Sequence, residues 1–204
     1  MEAELAQRDG RFDESLEILL DVRRLHEVLG VQLGITITMQ RRAETLGDAN
    51  RLDEAAAAFR EVLEHLDELG MTSFRSTTMV TYGNILYRLG ETEEAERLAT
   101  EGEQLGAAED YVNFAWGRAL RARIAADRSN LGEAMTLAQE SMENAYRTDF
   151  PMVHANSHEA LAHVLAASGR SDDAQVEQQR ALELWSQYGF RAQAERARAL
   201  LIEL

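Results

Sequence analysis

The chain has no cysteine and no lysine: its Lys+Arg total of 21 is made up entirely of arginine. Without thiols there is no cysteine nucleophile, thiolate metal site or disulfide, as expected of a protein kept in a reducing cytoplasm. Without lysine there is no P-loop, no Schiff base and no phosphate-binding ammonium. A single proline and the lack of alternating apolar and polar runs argue against strands and for helices throughout. Aromatics make up only 6%, so alanine and leucine must supply most of a core drawn from 45% hydrophobic residues. No apolar run approaches the length of a membrane span, and Met1-Glu2-Ala3-Glu4 is not the start of a signal region. Positive charge is also scarce. A net charge of −15 repels phosphate backbones, so neither nucleic acid nor membrane is expected as a direct partner.

What the chain has is a repeat. In Gly83-Asn84-Ile85-Leu86-Tyr87-Arg88-Leu89-Gly90-Glu91-Thr92-Glu93-Glu94-Ala95, one helix ends at Gly90 and an acidic helix start follows, with Thr92 as a candidate N-cap. The small residue closing this stretch recurs as Ser15, Ala55, Ala95, Ala134 and Ala174, at spacings of 40, 40, 39 and 40. Five positions upstream stand Gly10, Asn50, Gly90, Ser129 and Gly169, all suited to turns. Seven further back stand Ala3, Ala43, Gly83, Ala122 and Ala162, small enough for close helix approach. Acidic pairs such as Asp53-Glu54 and Asp172-Asp173 recur at the helix starts, where capping and dipole compensation explain them better than catalysis does.

The chain therefore predicts a single repeat domain over 1–204, with hairpins at about 1–30, 31–70, 71–106, 107–149 and 150–189 and a capping helix over 190–204. The second helix of the first hairpin, Phe12 to Leu29, places Leu16, Leu19, Leu20 and Val22 on its apolar side. Its first helix is about two turns long, the end expected of a segment clipped from a longer chain or docked on a partner. Apolar faces left there make room for a homodimer.

Small residue, turn glycine and small residue in this order resemble the tetratricopeptide repeat (TPR), best at Gly83-Leu86-Gly90-Ala95 and Ala162-Leu165-Gly169-Ala174. The resemblance implies an all-α fold, a right-handed α-solenoid of about five helical hairpins plus the C-terminal cap. Two features depart from the pattern: the period is near 40 rather than about 34, and no proline closes the second helix. Trp116 to Ala122, Arg147-Thr148-Asp149-Phe150 and Ala194 to Leu201 further resemble the C-terminal repeats of bacterial multidomain signalling proteins. In those proteins a cyclase-like or transcription-activator domain and a STAND-type ATPase precede such repeats. Nothing here matches the cyclase or ATPase portions, so no catalysis carries over.

In TPR-like arrays the first helices line a concave groove that holds a protein or peptide. Counting from the small residue, the expected groove side chains are Gln40 and Glu44; Thr77, Asn84, Tyr87 and Arg88; Trp116 and Arg123; and Asn156, Glu159 and His163. Trp, Tyr and Arg are the residue types enriched at binding hot spots, although Trp116 packed between hairpins fits the sequence as well. His154, His158 and His163 invite a metal reading, but their spacing is loose for zinc, and no cofactor or metal is expected. Arg118, Arg121 and Arg123 form a local basic patch with acidic neighbours to pair with. The expected function is a non-enzymatic protein-interaction scaffold. The alternative is a regulatory module that restrains upstream domains of the same polypeptide.

Overall fold

The computed structural model describes residues 2–203, with the side chain of Ser73 left aside. Within them the chain is all-helical: α1 (Glu2–Arg8), α2 (Phe12–Leu29), α3 (Gln32–Asp48), α4 (Leu52–Leu69), α5 (Thr72–Leu89), α6 (Thr92–Leu105), α7 (Tyr111–Asp127), α8 (Leu131–Ala145), α9 (Pro151–Ala167), α10 (Ser171–Gln187) and α11 (Arg191–Glu203). Consecutive pairs form five hairpins of an α-solenoid, and α11 follows as the cap. Pro151 opens α9 at a position where its missing N–H costs nothing.

The turn register is built the same way five times. Gly10, Asn50, Gly90, Ser129 and Gly169 all take positive φ, between 60° and 84°. The next residue's N–H reaches back five positions, as in Arg11 to Ala6 O (2.8 Å), Glu91 to Leu86 O (2.9 Å) and Arg170 to Leu165 O (2.9 Å). That is the Schellman closure, which satisfies the last carbonyls of the outgoing helix. Asn50 and Ser129 achieve it with a side chain present, and Ser129 does so at some steric cost.

The small residues mark where paired helices cross. Ser15, Ala55, Ala95, Ala134 and Ala174 are all fully buried. A Cβ on Gly83 would sit 3.0 Å from the Ala95 carbonyl oxygen and 3.0 Å from Leu120 Cδ2. A second close approach lies seven positions after Ala95: a Cβ on Gly102 would sit 2.8 Å from the Ser76 carbonyl oxygen, in the register where Ser141 donates to the Ala115 carbonyl (2.8 Å) in the next hairpin. Around these crossings the core is continuous from neighbour to neighbour. Its largest cluster joins α3 to α7 through Leu46, Phe59, Met79, Leu86, Leu98, Leu120 and Ile124, with Phe59 stacked on Tyr82 at 5.7 Å. Another joins α9, α10 and α11 through Ala155, Leu182, Trp185, Ala194 and Ala197.

Three local expectations change. Thr92 is not an N-cap: Glu91 occupies that position without a side-chain cap, and the Thr92 hydroxyl instead donates to the Gly90 carbonyl. The acidic residues lie in first turns near the helix dipoles but do not cap them. The N-cap position is held by Arg11, Arg51 and Arg170, and each pairs with the acid three residues on: Glu14, Glu54 and Asp173. Leu20 faces solvent rather than the apolar side of α2.

Candidate functional site

The first helices of the hairpins, α3, α5, α7 and α9, stand side by side. Their shared face carries side chains that differ from one repeat to the next. At one end of the row Gln40 donates to Glu44 (2.9 Å) while its own carbonyl oxygen accepts from Thr78 (2.9 Å), which ties α3 to α5. Arg41 lies 3.4 Å from the same carboxylate. Burial pushes the Glu44 carboxyl above its ordinary range, against the pull of Arg41 and Gln40.

Arg88 reaches back from α5 to the preceding turn, donating to the Gly47 carbonyl (2.8 Å) and to Asn50 Oδ1 (2.9 Å). Arg123 bridges forward and backward, to Asn84 Oδ1 (3.3 Å) on α5 and to the Asn156 carbonyl (3.2 Å) on α9. Among the described residues these two arginines bond only to neutral acceptors. Arg118 and Arg121 behave differently and pair with Glu103 on α6, as the sequence led one to expect of the basic patch. Glu159 accepts from Trp185 Nε1 (2.9 Å), and burial raises its carboxyl despite nearby Arg123 and Arg196. Trp116 is half-buried against Ala115, Ala145 and Val153, so it packs between hairpins. Thr77 lies partly exposed on α5, one turn before Thr81.

Two carboxylates absent from the expected set organise this face. Asp127, the last residue of α7, accepts from Tyr87 of α5 (2.7 Å) and from His163 of α9 (2.7 Å). Burial, and then the bond to Asp127, raise the Tyr87 phenol well above its ordinary value. Asp48 holds the same place at the end of α3, five positions after its small residue. It accepts from Gln7 of α1 (2.8 Å), in the register of Tyr87. Its second neighbour comes from far along the chain. Arg196 of α11, 148 positions away, brings Nη1 to 3.5 Å from the Asp48 carbonyl and Nη2 to 3.7 Å from its carboxylate. Close by, the Arg8 guanidinium lies 4.7 Å from the centre of the Phe190 ring. The row therefore curves until its last helix meets its first two. Asp48 and Asp127 both stand five positions after the small residue of their hairpin, where the other copies carry Arg8, Arg88 and Ala167.

This seam is held by an ion pair, a hydrogen bond and a cation–π contact. No apolar cluster among the described residues spans α11 and α1 or α3. A partly exposed ion pair contributes roughly 0.2–1 kcal/mol, and a cation–π contact at an exposed site about 0.5–1 kcal/mol. Repulsion from Arg196, after burial, lowers the Arg88 pKa, so like charge opposes closure at the same point.

The histidines do not converge. His163 goes to Asp127, whereas His154 lies against the Ala145 and Thr148 carbonyls (2.9 Å each). His158, buried, places Nδ1 2.6 Å from Glu177 and Nε2 3.0 Å from the Tyr146 hydroxyl. A carboxylate can only accept, so Nδ1 carries the proton and Nε2 accepts from tyrosine. Burial lowers the His158 pKa and keeps the ring neutral. Glu177 lies 19 positions from His158 on the next helix, a pairing with no periodic signal in the sequence. No group of three His, Asp or Glu side chains suited to a metal occurs among the described residues. Two surface depressions, one along α10 and Leu201 and one between Leu19, Leu20 and Arg42, include none of the expected groove residues. No helix among the described residues is long and apolar enough to cross a membrane.

No family model and no curated protein matches the chain. Solved structures do. BtubC (BKLC) from P. vanneervenii is similar with a TM-score of 0.67 at 17% identity, over 91% of this chain and 78% of that one. A protein described as a putative kinesin light chain with nearly identical TPR-like repeats, from Podosopora anserina, gives a TM-score of 0.61 at 15% identity, over 91% and 92%. A substituted form of that same protein gives 0.62 at 15% identity. At such identities the likeness shows the fold alone: an all-helical, TPR-like repeat solenoid.

Proposed function

We propose that this chain is a protein-interaction scaffold whose ligand, a peptide or protein segment, lies along the face formed by α3, α5, α7 and α9. TPR-like repeat folds are generally protein-interaction scaffolds. The observation that carries the reading here is the division of labour between registers. The residues that pack and turn the hairpins recur in kind, whereas Gln40, Thr77, Asn84, Arg123 and Asn156 are individual to their repeats and line one face. Arg88 and Arg123 are hydrogen-bonded to neutral acceptors rather than to a carboxylate, which leaves their guanidinium groups able to favour an incoming anionic acceptor. The pre-built network lets a segment dock with little reordering of side chains. No catalytic role is assigned: Asp127, Glu159 and His163 of this face tie one helix to another, and Glu44 is held by its own helix.

Photo-crosslinking tests this directly. A benzophenone side chain placed at Thr77 or Asn156 should yield a defined adduct in native cell extract, and one at exposed Glu64 of α4 should not. Adducts from Glu64 alone would place binding on the opposite surface.

A second reading draws on the closure of the row by its own last helix: the repeats act as a regulatory module of a larger signalling protein. A reading frame with a nucleotide-binding region upstream would favour it.

A further inference from the structure

We propose that Arg196 is a latch that switches the solenoid between a closed turn, with α11 seated against α1 and α3, and an open one. Two aspartates in equivalent places show why. Asp127 is stapled by donors from the two helices beside it, both at 2.7 Å. Asp48 has the same place on α3 and the same kind of first donor, Gln7, at 2.8 Å. The donor that would complete it from the adjacent helix is missing, because α5 presents Asn84 in the register where α9 presents His163. Arg196 takes that role from across the turn, at the longer distances of 3.5 and 3.7 Å. A second contact of the seam, Arg8 over Phe190, sets a cation against a neutral ring.

A junction of this kind opens without disturbing any hairpin. The α10–α11 packing through Leu182, Trp185, Ala194 and Ala197 belongs to α11 itself and moves with it. Gln178, buried, donates to the Ala197 carbonyl (3.0 Å) and fixes α11 on α10 in either state. The charges that face Arg196 are balanced: Asp48 and Glu159 attract it, and Arg88 repels it. A small change in any of them, from salt or from an approaching charged segment, shifts the equilibrium. That the latch also governs access to a ligand rests on the groove reading above; the latch itself does not.

The absence of native cysteine makes the test clean. Spin labels on cysteines introduced at Asp13, fully solvated at the start of α2, and at exposed Glu195 of α11 report the separation across the seam by pulsed electron resonance. The otherwise unmodified protein in low salt should show one narrow distance population. Arg196→Glu should make a longer population the major one, and about 1 M salt should move the unsubstituted seam the same way. Arg198→Glu, on the same helix without an ion-pair partner among the described residues, should leave the distribution as it was. Circular dichroism verifies that helicity is kept, and Arg196→Gln serves if the glutamate variant unfolds. An unchanged narrow population in both Arg196 variants and in high salt would overturn the latch, as would an equal shift from Arg198→Glu. None of these outcomes depends on a partner, so a failed groove leaves the latch standing and the converse holds as well.

Discussion

The interior of each hairpin and the face of the α3–α5–α7–α9 row are made of the same helices by opposite rules. Inside the hairpins one solution is repeated: a Schellman turn, a buried small residue, and an acid in the first turn of the second helix. On the face of the row little repeats beyond the aspartates Asp48 and Asp127. Gln40 meets Glu44, Tyr87 meets Asp127, Arg123 meets Asn84 and Asn156, and Trp116 packs between hairpins. Packing tolerates few answers, because two helix axes at close range accept only Gly, Ala or Ser at the crossing. A solvated face tolerates many, and there a chain can specify a partner without disturbing its fold.

The hairpin interior offers the largest effects. Phe59→Ala removes a fully buried ring stacked on Tyr82 and should cost about 3–5 kcal/mol in chemical unfolding. A loss below about 1 kcal/mol would mean the interior is not tightly packed. Gly102→Ala should cost about 1–3 kcal/mol, since its Cβ meets a backbone carbonyl that cannot move aside. Stabilisation by the better helix former would show that α5 and α6 can separate. Ser129→Gly should go the other way and stabilise by about 0.5–1 kcal/mol, relieving a side chain held at φ 60°. The change is read as a rise in melting temperature, and a fall would refute it.

The smallest effect belongs to the face. Glu159 has a raised carboxyl, so the folded chain holds its proton at a pH where the unfolded chain, at 4.5, has released it. Its contribution to stability therefore grows as pH falls through the raised value and is complete below 4.5. Glu159→Gln keeps an acceptor for Trp185 and removes the buried charge. It should be as stable as the parent or more so at pH 7, by under ~1 kcal/mol, with the two converging near pH 4. A deficit that widens towards neutral pH would mean Arg123 and Arg196 outweigh burial.

The sequence made the hairpins legible because turns and crossings are local: three registers found all five turns, including the two without glycine. It misjudged Thr92 because a hydroxyl at a helix start has more than one backbone partner, and here Gly90 O wins. Gly102 and Ser76 belong to a further recurring register, filled by Ser141 and Ala115 in the next hairpin, which the turn pattern alone does not single out. Of the expected residues, Tyr87 and His163 share Asp127, and Asn84 and the Asn156 carbonyl share Arg123. Their joints at Asp48 and Asp127 escaped notice because they depend on how small rotations between repeats accumulate. The Arg196–Asp48 meeting is the extreme case, a contact that exists only when the whole row has turned.

Most depends on the claim that the face binds and the interior only folds. Arg123→Ala separates the two: it removes two bonds from the face and leaves every apolar cluster intact. Once the crosslinked partner is identified, its affinity for this variant is the decisive number, read beside the melting temperature. A binding face predicts at least about tenfold weaker affinity with a stability loss under ~1.5 kcal/mol. Unchanged affinity in Arg123→Ala, together with lost affinity in a variant of the even-numbered helices, would contradict it.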